Sequence, residues 1–211
     1  CSYELDESIP RITVGAQELI LDLLKERAET GRIYIMNIDH CNSHSSFIDK
    51  VEMSNLCQEI TLPTKPIQHI DDDSGEIALC ILSAINIGKI RDLSDLESLC
   101  DLTVRSLDEL IDFQRYPVKA AEIATKARRS LGVGFIGLAH YLAKNGVNYG
   151  DEKAWKLVHD LTEAFQYNLI KATVQVAKEK GACEYSDNTK YSHGILPIDT
   201  YKKDVDEIVP N

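Results

Sequence analysis

No apolar run in this 211-residue chain reaches the roughly 18 residues that a membrane-spanning helix requires. The N-terminus also lacks the basic-then-apolar layout of a secretory signal, so the expectation is a cytoplasmic chain with no membrane contact. Positive charge is scarce as well. The 23 Lys and Arg against 34 Asp and Glu leave a formal charge of -11, which would repel a polyphosphate backbone and argues against a nucleic-acid groove. A free nucleotide would need local positive charge to bind. Closely paired cysteines are missing too. Cys1, Cys41, Cys57, Cys80, Cys100 and Cys183 are widely spaced, and with no C-x-x-C pair neither a zinc ribbon nor a thioredoxin-like centre is indicated. Reduced thiols are the default. The chain opens on Cys1 rather than Met, which suggests a processed, spliced or trimmed product.

What is present is enough for a core. With 44% hydrophobic residues and no repeat, low-complexity tract or linker, residues 1–211 read as one unit. Ile12, Ala16, Leu19, Ile20, Leu23 and Leu24 keep helical spacing over 12–29, and Gly31 supplies the stop. Residues 33–38 (IYIMNI) read as a strand covered on both faces. Residues 39–50 read as a polar irregular loop, Ser54–Thr61 as an extended segment ending at Pro63, and DDDSG at 71–75 as a turn.

The apolar run 77–90 is broken by Gly88. A capping box, Ser94-x-x-Glu97, then opens a helix whose stripe is Leu96, Leu99, Cys100, Thr103, Leu107, Leu110 and Ile111. Beyond Pro117, a short helix is predicted over 120–129, a strand over 131–136 and a helix over 138–144. A long amphipathic helix follows from Asp151 to Lys180, stopped by Gly181. Helix and strand alternate through most of the length, which defines an α/β fold.

The chemistry concentrates in Asn55-Leu56-Cys57-Gln58-Glu59. An amide, a thiol and a carboxylate stand two residues apart, and on an extended backbone all three would face one substrate. The same alternation also describes a strand with one wet face. Gly132-x-Gly134-x-x-Gly137 matches a dinucleotide fingerprint, but a charged stretch (126–130) precedes it in place of a full apolar strand, and tight packing explains the glycines better. Asp39, His40, Cys41 and His44 can bind metals in principle, yet lack the two separated ligand pairs of a zinc site. No metal set is assigned. Arg128 and Arg129 could approach a phosphate or simply end a helix in solvent. Cys80 lies in an apolar run where cysteine is commonly a small buried hydrophobe.

The segments SNLCQEI (54–60) and GEIALCILSAINIG (75–88), separated by a polar turn, resemble the catalytic large subunit of class I ribonucleotide reductases. GRIYIMNIDHCNSHS (31–45), RRSLGVGFIGLAHYLAKNG (128–146) and GILPIDTYKKD (194–204) resemble the same family in the same order. This resemblance implies part of a ten-stranded α/β barrel, incomplete in this chain, with the radical cysteine on a finger loop. Cys57 would be the thiyl radical that takes the 3′ hydrogen of a ribonucleotide, Glu59 the base for the 3′-hydroxyl proton, and Asn55 a residue that orients the substrate. Cys80 would be half of a redox pair that ends as a disulfide, its partner lying upstream.

The resemblance also implies ribonucleoside diphosphate substrates and no cofactor bound by this chain. The radical would come from a metal-containing small subunit and the electrons from a thioredoxin- or glutaredoxin-type dithiol. The remaining large-subunit polypeptide would be needed for activity. Two other readings stay open: a noncatalytic complementing piece in which Cys57 is structural, and a nucleotide-binding module dependent on Gly134.

Overall fold

The computed structural model describes residues 8–200; Cys1 and the last residues of the GILPIDTYKKD segment lie outside them. Among the described residues one sheet forms. Strand β1 (Leu82–Asn86) pairs in parallel with β2 (Gly132–Ile136), with Leu82 opposite Gly132 and Asn86 opposite Ile136. A parallel pair needs a long crossover. Here it consists of a 3₁₀ turn at Ile87–Lys89, helix α3 (Asp95–Phe113) and helix α4 (Lys119–Arg128). Helix α5 (Leu138–Lys144) and the long helix α6 (Glu152–Lys180) follow β2, and α6 packs along α3.

Two glycines pack closely around the sheet. A Cβ on Gly132 would stand 2.4 Å from Leu82 Cδ2, so the Leu82 side chain lies over the space that glycine leaves. Gly137 has φ +85 and turns the chain from β2 into α5; a Cβ there would meet Asn86 Oδ1 at 2.6 Å. Close packing thus accounts for the first and third glycines of the G-x-G-x-x-G pattern. Gly134, the middle one, faces no atom within 4 Å.

The main core lies between β1 and the α3–α6 pair. Ile85, Ile87, Ile90, Leu96, Cys100, Leu161 and Phe165 are buried together, and Phe135 meets Phe165 edge to face at 5.6 Å. Burial pushes the Cys100 thiol up to about 11, so it remains a packed, protonated group.

Several expectations need correction. The expected capping box does not form: Ser94 Oγ donates to Asp92, while Glu97 pairs with Lys171 on α6 at 2.5 Å. The helix start is instead stabilised by Asp95, whose Oδ2 accepts the Arg91 N–H at 2.8 Å. The α3 stripe includes Val104 and Asp108 in place of Thr103 and Leu110, a rotation of the buried face towards α6. Residues 33–37 carry no strand assignment, and Tyr34 and Ile35 are exposed; among the described residues no neighbouring strand takes up their backbone groups. The polar stretch expected to be irregular contains helix α2 (Ile38–His44). Helix α1 (Ala16–Thr30) forms and ends at left-handed Gly31, yet buries none of its residues: Leu19, Ile20 and Leu24 are all exposed.

The α3–α6 seam is also ionic. Arg105 on α3 holds Asp101 at 2.9 Å and Glu179 on α6 at 2.5 Å. Hydrogen bonds from Arg105, then Gln175, pull the Glu179 carboxyl down from 4.5 to about 2. A depressed carboxylate stabilises the fold fully above its unfolded value and ceases to do so as pH falls through the folded one. The urea midpoint of the native chain should therefore fall relative to that of Glu179→Gln between pH 4.5 and about 2. Parallel pH curves for the two would contradict this account.

Candidate active site

Cys57 sits at the tip of a hydrogen-bonded turn, not on the extended strand expected for residues 54–61. The Gln58 N–H donates to the Asn55 carbonyl at 3.2 Å, and Gln58 takes a left-handed φ of 62. Asn55 Oδ1 accepts the Ile60 N–H at 3.0 Å, so its side chain spans the turn and encloses residues 56–59. This is the chemistry asparagine offers at turns, where its short amide competes with backbone pairing. Alternation therefore does not align Asn55, Cys57 and Glu59 on one face; the turn commits the Asn55 oxygen to its own backbone and leaves Cys57 and Glu59 exposed.

Leu56 is 88% exposed at the apex, and Cys57 and Glu59 are exposed beside it. Cys57 has no disulfide or hydrogen-bond partner among the described residues.

The segment that carries this turn is anchored on both sides. Upstream, the Asn42 side chain on α2 accepts the Val51 N–H and donates to the Val51 carbonyl, each at 2.8 Å, and Val51 is fully buried. Residues 46–48 are stitched to the chain near 188–190: Lys190 N–H donates to Ser46 and Ile48 N–H to Asn188. Downstream, Lys65 and Glu76 exchange two backbone hydrogen bonds at 3.0 Å. The DDDSG turn lies between them, closed by Asp72, which accepts from Ser74 and from the Gln68 N–H; these bonds hold its carboxyl at about 2.

Cys80 lies just before β1 and is exposed, which corrects the reading of it as a small buried hydrophobe; Ile81, the next residue, is the buried one. It is a free thiol among the described residues.

Arg128 and Arg129 do not end a helix in solvent. Arg128 is buried, hydrogen-bonded to Glu76 and ion-paired with Asp49, while Arg129, at φ 47, turns the other way to Asp108 and Asp112 on α3. Asp108 is itself buried. Burial raises its carboxyl, but hydrogen bonds from Arg129 and Lys180 outweigh that and hold it low. Sequence reading missed Asp49, Glu76 and Asp108 because the partners of a buried charge lie far away in sequence. An acid on the stripe between Val104 and Ile111 was the available signal for Asp108.

Among the described residues no group of three His, Cys, Asp or Glu is placed to hold a metal ion, and no helix is long and apolar enough to cross a membrane.

These segments and their order belong to a known architecture: residues 1–209 match the family model described as the barrel domain of ribonucleotide reductase, and the chain is a member of that family. Among curated relatives, the ribonucleoside-diphosphate reductase subunit alpha of Haemophilus influenzae is 59% identical over 209 residues, covering 98% of this chain and 28% of that protein. Ribonucleoside-diphosphate reductase 1 subunit alpha of Escherichia coli is 54% identical over the same shares of the two chains. The large subunit of Plasmodium falciparum is 30% identical over 213 residues, 97% of this chain and 25% of its own length. The chain thus spans between a quarter and a third of the relatives it matches.

If Asn55 Oδ1 closes the turn, Asn55→Ala should lower the exchange protection of the Ile60 amide several-fold, up to about tenfold, the worth of one net hydrogen bond. Asn55→Asp keeps an acceptor oxygen and should preserve protection. Equal protection in the alanine variant and the native chain would refute the assignment.

Proposed function

We propose that this chain supplies the radical-bearing turn of a ribonucleoside-diphosphate reductase large subunit, with Cys57 as the hydrogen-abstracting thiol. The observation that carries the reading is an exposed, unpaired Cys57 on a side-chain-closed turn, in a chain of the ribonucleotide reductase barrel family. β1 and β2 would be two of ten barrel strands, with the 55–58 turn as the finger that enters the barrel. The remaining large-subunit polypeptide would cover the exposed apolar face of α1 and pair with residues 33–37.

The chemistry follows from the groups present. A Cys57 thiyl radical takes the 3′ hydrogen of the ribose, forming a thiol and leaving a carbon radical. Glu59 accepts the 3′-hydroxyl proton, and the 2′-hydroxyl leaves as water with an equivalent proton, which returns the carboxylate to its starting state. A dithiol formed by Cys80 and an upstream cysteine supplies two electrons and two protons and becomes a disulfide. Cys57 then returns its hydrogen to C3′ and is again a thiyl. The balance is one ribonucleotide and one dithiol giving one deoxyribonucleotide, one disulfide and one water.

The Asn55 oxygen is committed to the turn, which leaves its amide Nδ2 to orient the substrate. The initial oxidation of Cys57 comes from a metal-containing small subunit, and thioredoxin- or glutaredoxin-type dithiols reset the disulfide. A cytoplasmic location suits that reducing requirement.

A structural role for Cys57 is disfavoured by its exposure, since a packing thiol would resemble Cys100. A dinucleotide site at 132–137 is disfavoured because Leu82 and Asn86 occupy the space beside Gly132 and Gly137.

The deciding test combines the complete large subunit, the small subunit and a ribonucleoside diphosphate. Cys57→Ser should abolish turnover with complex assembly unchanged, and Cys80→Ser should block steady-state turnover with a dithiol protein as reductant. Retained turnover in Cys57→Ser would overturn the proposal. Lost assembly would instead assign Cys57 to structure.

A further inference from the structure

We propose that Arg128 is a positioning residue that clasps both ends of the segment carrying Asn55, Cys57 and Glu59. The inference rests on the catalytic reading of that turn and names a residue which that reading leaves without a role. Arg128 ends α4, and its side chain is only 4% exposed. Its Nε and Nη2 donate to Glu76 Oε2 at 3.0 and 2.8 Å, and Nη1 lies 2.9 Å from Asp49 Oδ2. Asp49 and Glu76 are the two ends of the excursion that contains the turn. One guanidinium therefore closes 28 residues into a loop.

The rest of the cluster fixes the guanidinium plane. It stacks on Tyr185 at 4.9 Å and reaches Phe47 at 5.8 Å. Tyr185 is attached to α4 through its N–H, which donates to the Ala127 carbonyl at 3.0 Å. Lys65, inside the excursion, binds the other oxygen of Glu76 at 2.5 Å, and that contact raises its own pKa. The cluster holds two cations and two carboxylates, so it is neutral as a whole and each buried charge has a partner. A lysine could not replace this arginine: only a planar fork can reach two carboxylates on different stretches of chain while lying over an aromatic ring.

The consequence for chemistry is geometric. Hydrogen abstraction needs the thiol and the ribose carbon at near-attack distance, and a misplacement of about 1 Å can cost on the order of 100-fold in rate. Exposed turns do not hold such tolerances alone. Here α4, tied to α3 through Arg129, fixes through Arg128 the two points from which the turn projects.

The test uses the complete large subunit with its small subunit, and variants Arg128→Lys, Arg128→Gln and Asp49→Asn. Three quantities are read: kcat, the KM for a ribonucleoside diphosphate, and the iodoacetamide labelling rate of Cys57 relative to that of free glutathione under the same conditions. Arg128→Gln should lower kcat by about 10- to 100-fold with KM nearly unchanged, and should shift the Cys57 labelling ratio. Arg128→Lys should fail to restore kcat, and Asp49→Asn should fall between the native chain and Arg128→Gln. Asp49 is 34% exposed, so its variant can be judged even if Arg128→Gln does not fold. Native kcat and native Cys57 labelling in Asp49→Asn and Arg128→Lys would overturn the proposal. Should Cys57→Ser prove active, the catalytic reading fails by itself, and the labelling ratio still decides whether Arg128 sets the position of the turn.

Discussion

A guanidinium buried to 4% exposure must be paired, and in this chain the pairing of Arg128 with Glu76 determines where the rest goes. Glu76 is itself only 2% exposed, so neither group can turn to water if the other is lost. Removing one partner of such a pair typically costs about 3–5 kcal/mol, because a charge is left stranded. The pair joins the end of α4 to the start of the β1 segment. Asp49, Lys65 and Tyr185 complete it, and through them the long excursion before β1 is fixed to the helical layer. Arg129 does the same on the opposite side, tying α4 to Asp108 on α3. Two adjacent arginines thus face opposite ways and hold α4 between the loop and the α3–α6 pair.

From that frame the turn at 55–58 projects with little of its own surface buried. Division of labour of this kind suits the proposed radical chemistry. The reacting thiol has to be accessible to a substrate and unencumbered by protein hydrogen bonds, whereas its position has to be set by something rigid. Asn55 serves locally by closing the turn, and the buried cluster serves at a distance by fixing its ends. The exposed apolar face of α1 and residues 33–37, which have no neighbouring strand among the described residues, are the surfaces that the proposed assembly would cover.

Local signals carried much of the fold. Helices with clear stops, such as α1 at Gly31 and α6 at Gly181, and the strand over 132–136 were readable because caps and periodicity are local properties. Residues 33–38 misled, since an apolar run specifies a strand only when a neighbour supplies hydrogen bonds. The capping box misled because Asp92 takes both the Ser94 hydroxyl and the Ser94 N–H that Glu97 would have capped. The candidate reactive residues were named from the ordered family segments, but the shape that presents them could not be read there. N-x-C-x-E reads equally well as a strand, and only its hydrogen bonds, Gln58 N–H to the Asn55 carbonyl and Ile60 N–H to Asn55 Oδ1, show it to be a turn. The role of Arg128 was hidden for a different reason: Glu76 lies 52 residues away in sequence.

The central claim is that Cys57 acts on the ribose, and the most direct test is a crystal structure of the complete large subunit with a ribonucleoside diphosphate bound. The account predicts Cys57 Sγ within about 3.5 Å of the ribose C3′, with a Glu59 oxygen in hydrogen-bond reach of the 3′-hydroxyl. A ribose bound away from the 55–59 turn, with Cys57 facing protein, would contradict it.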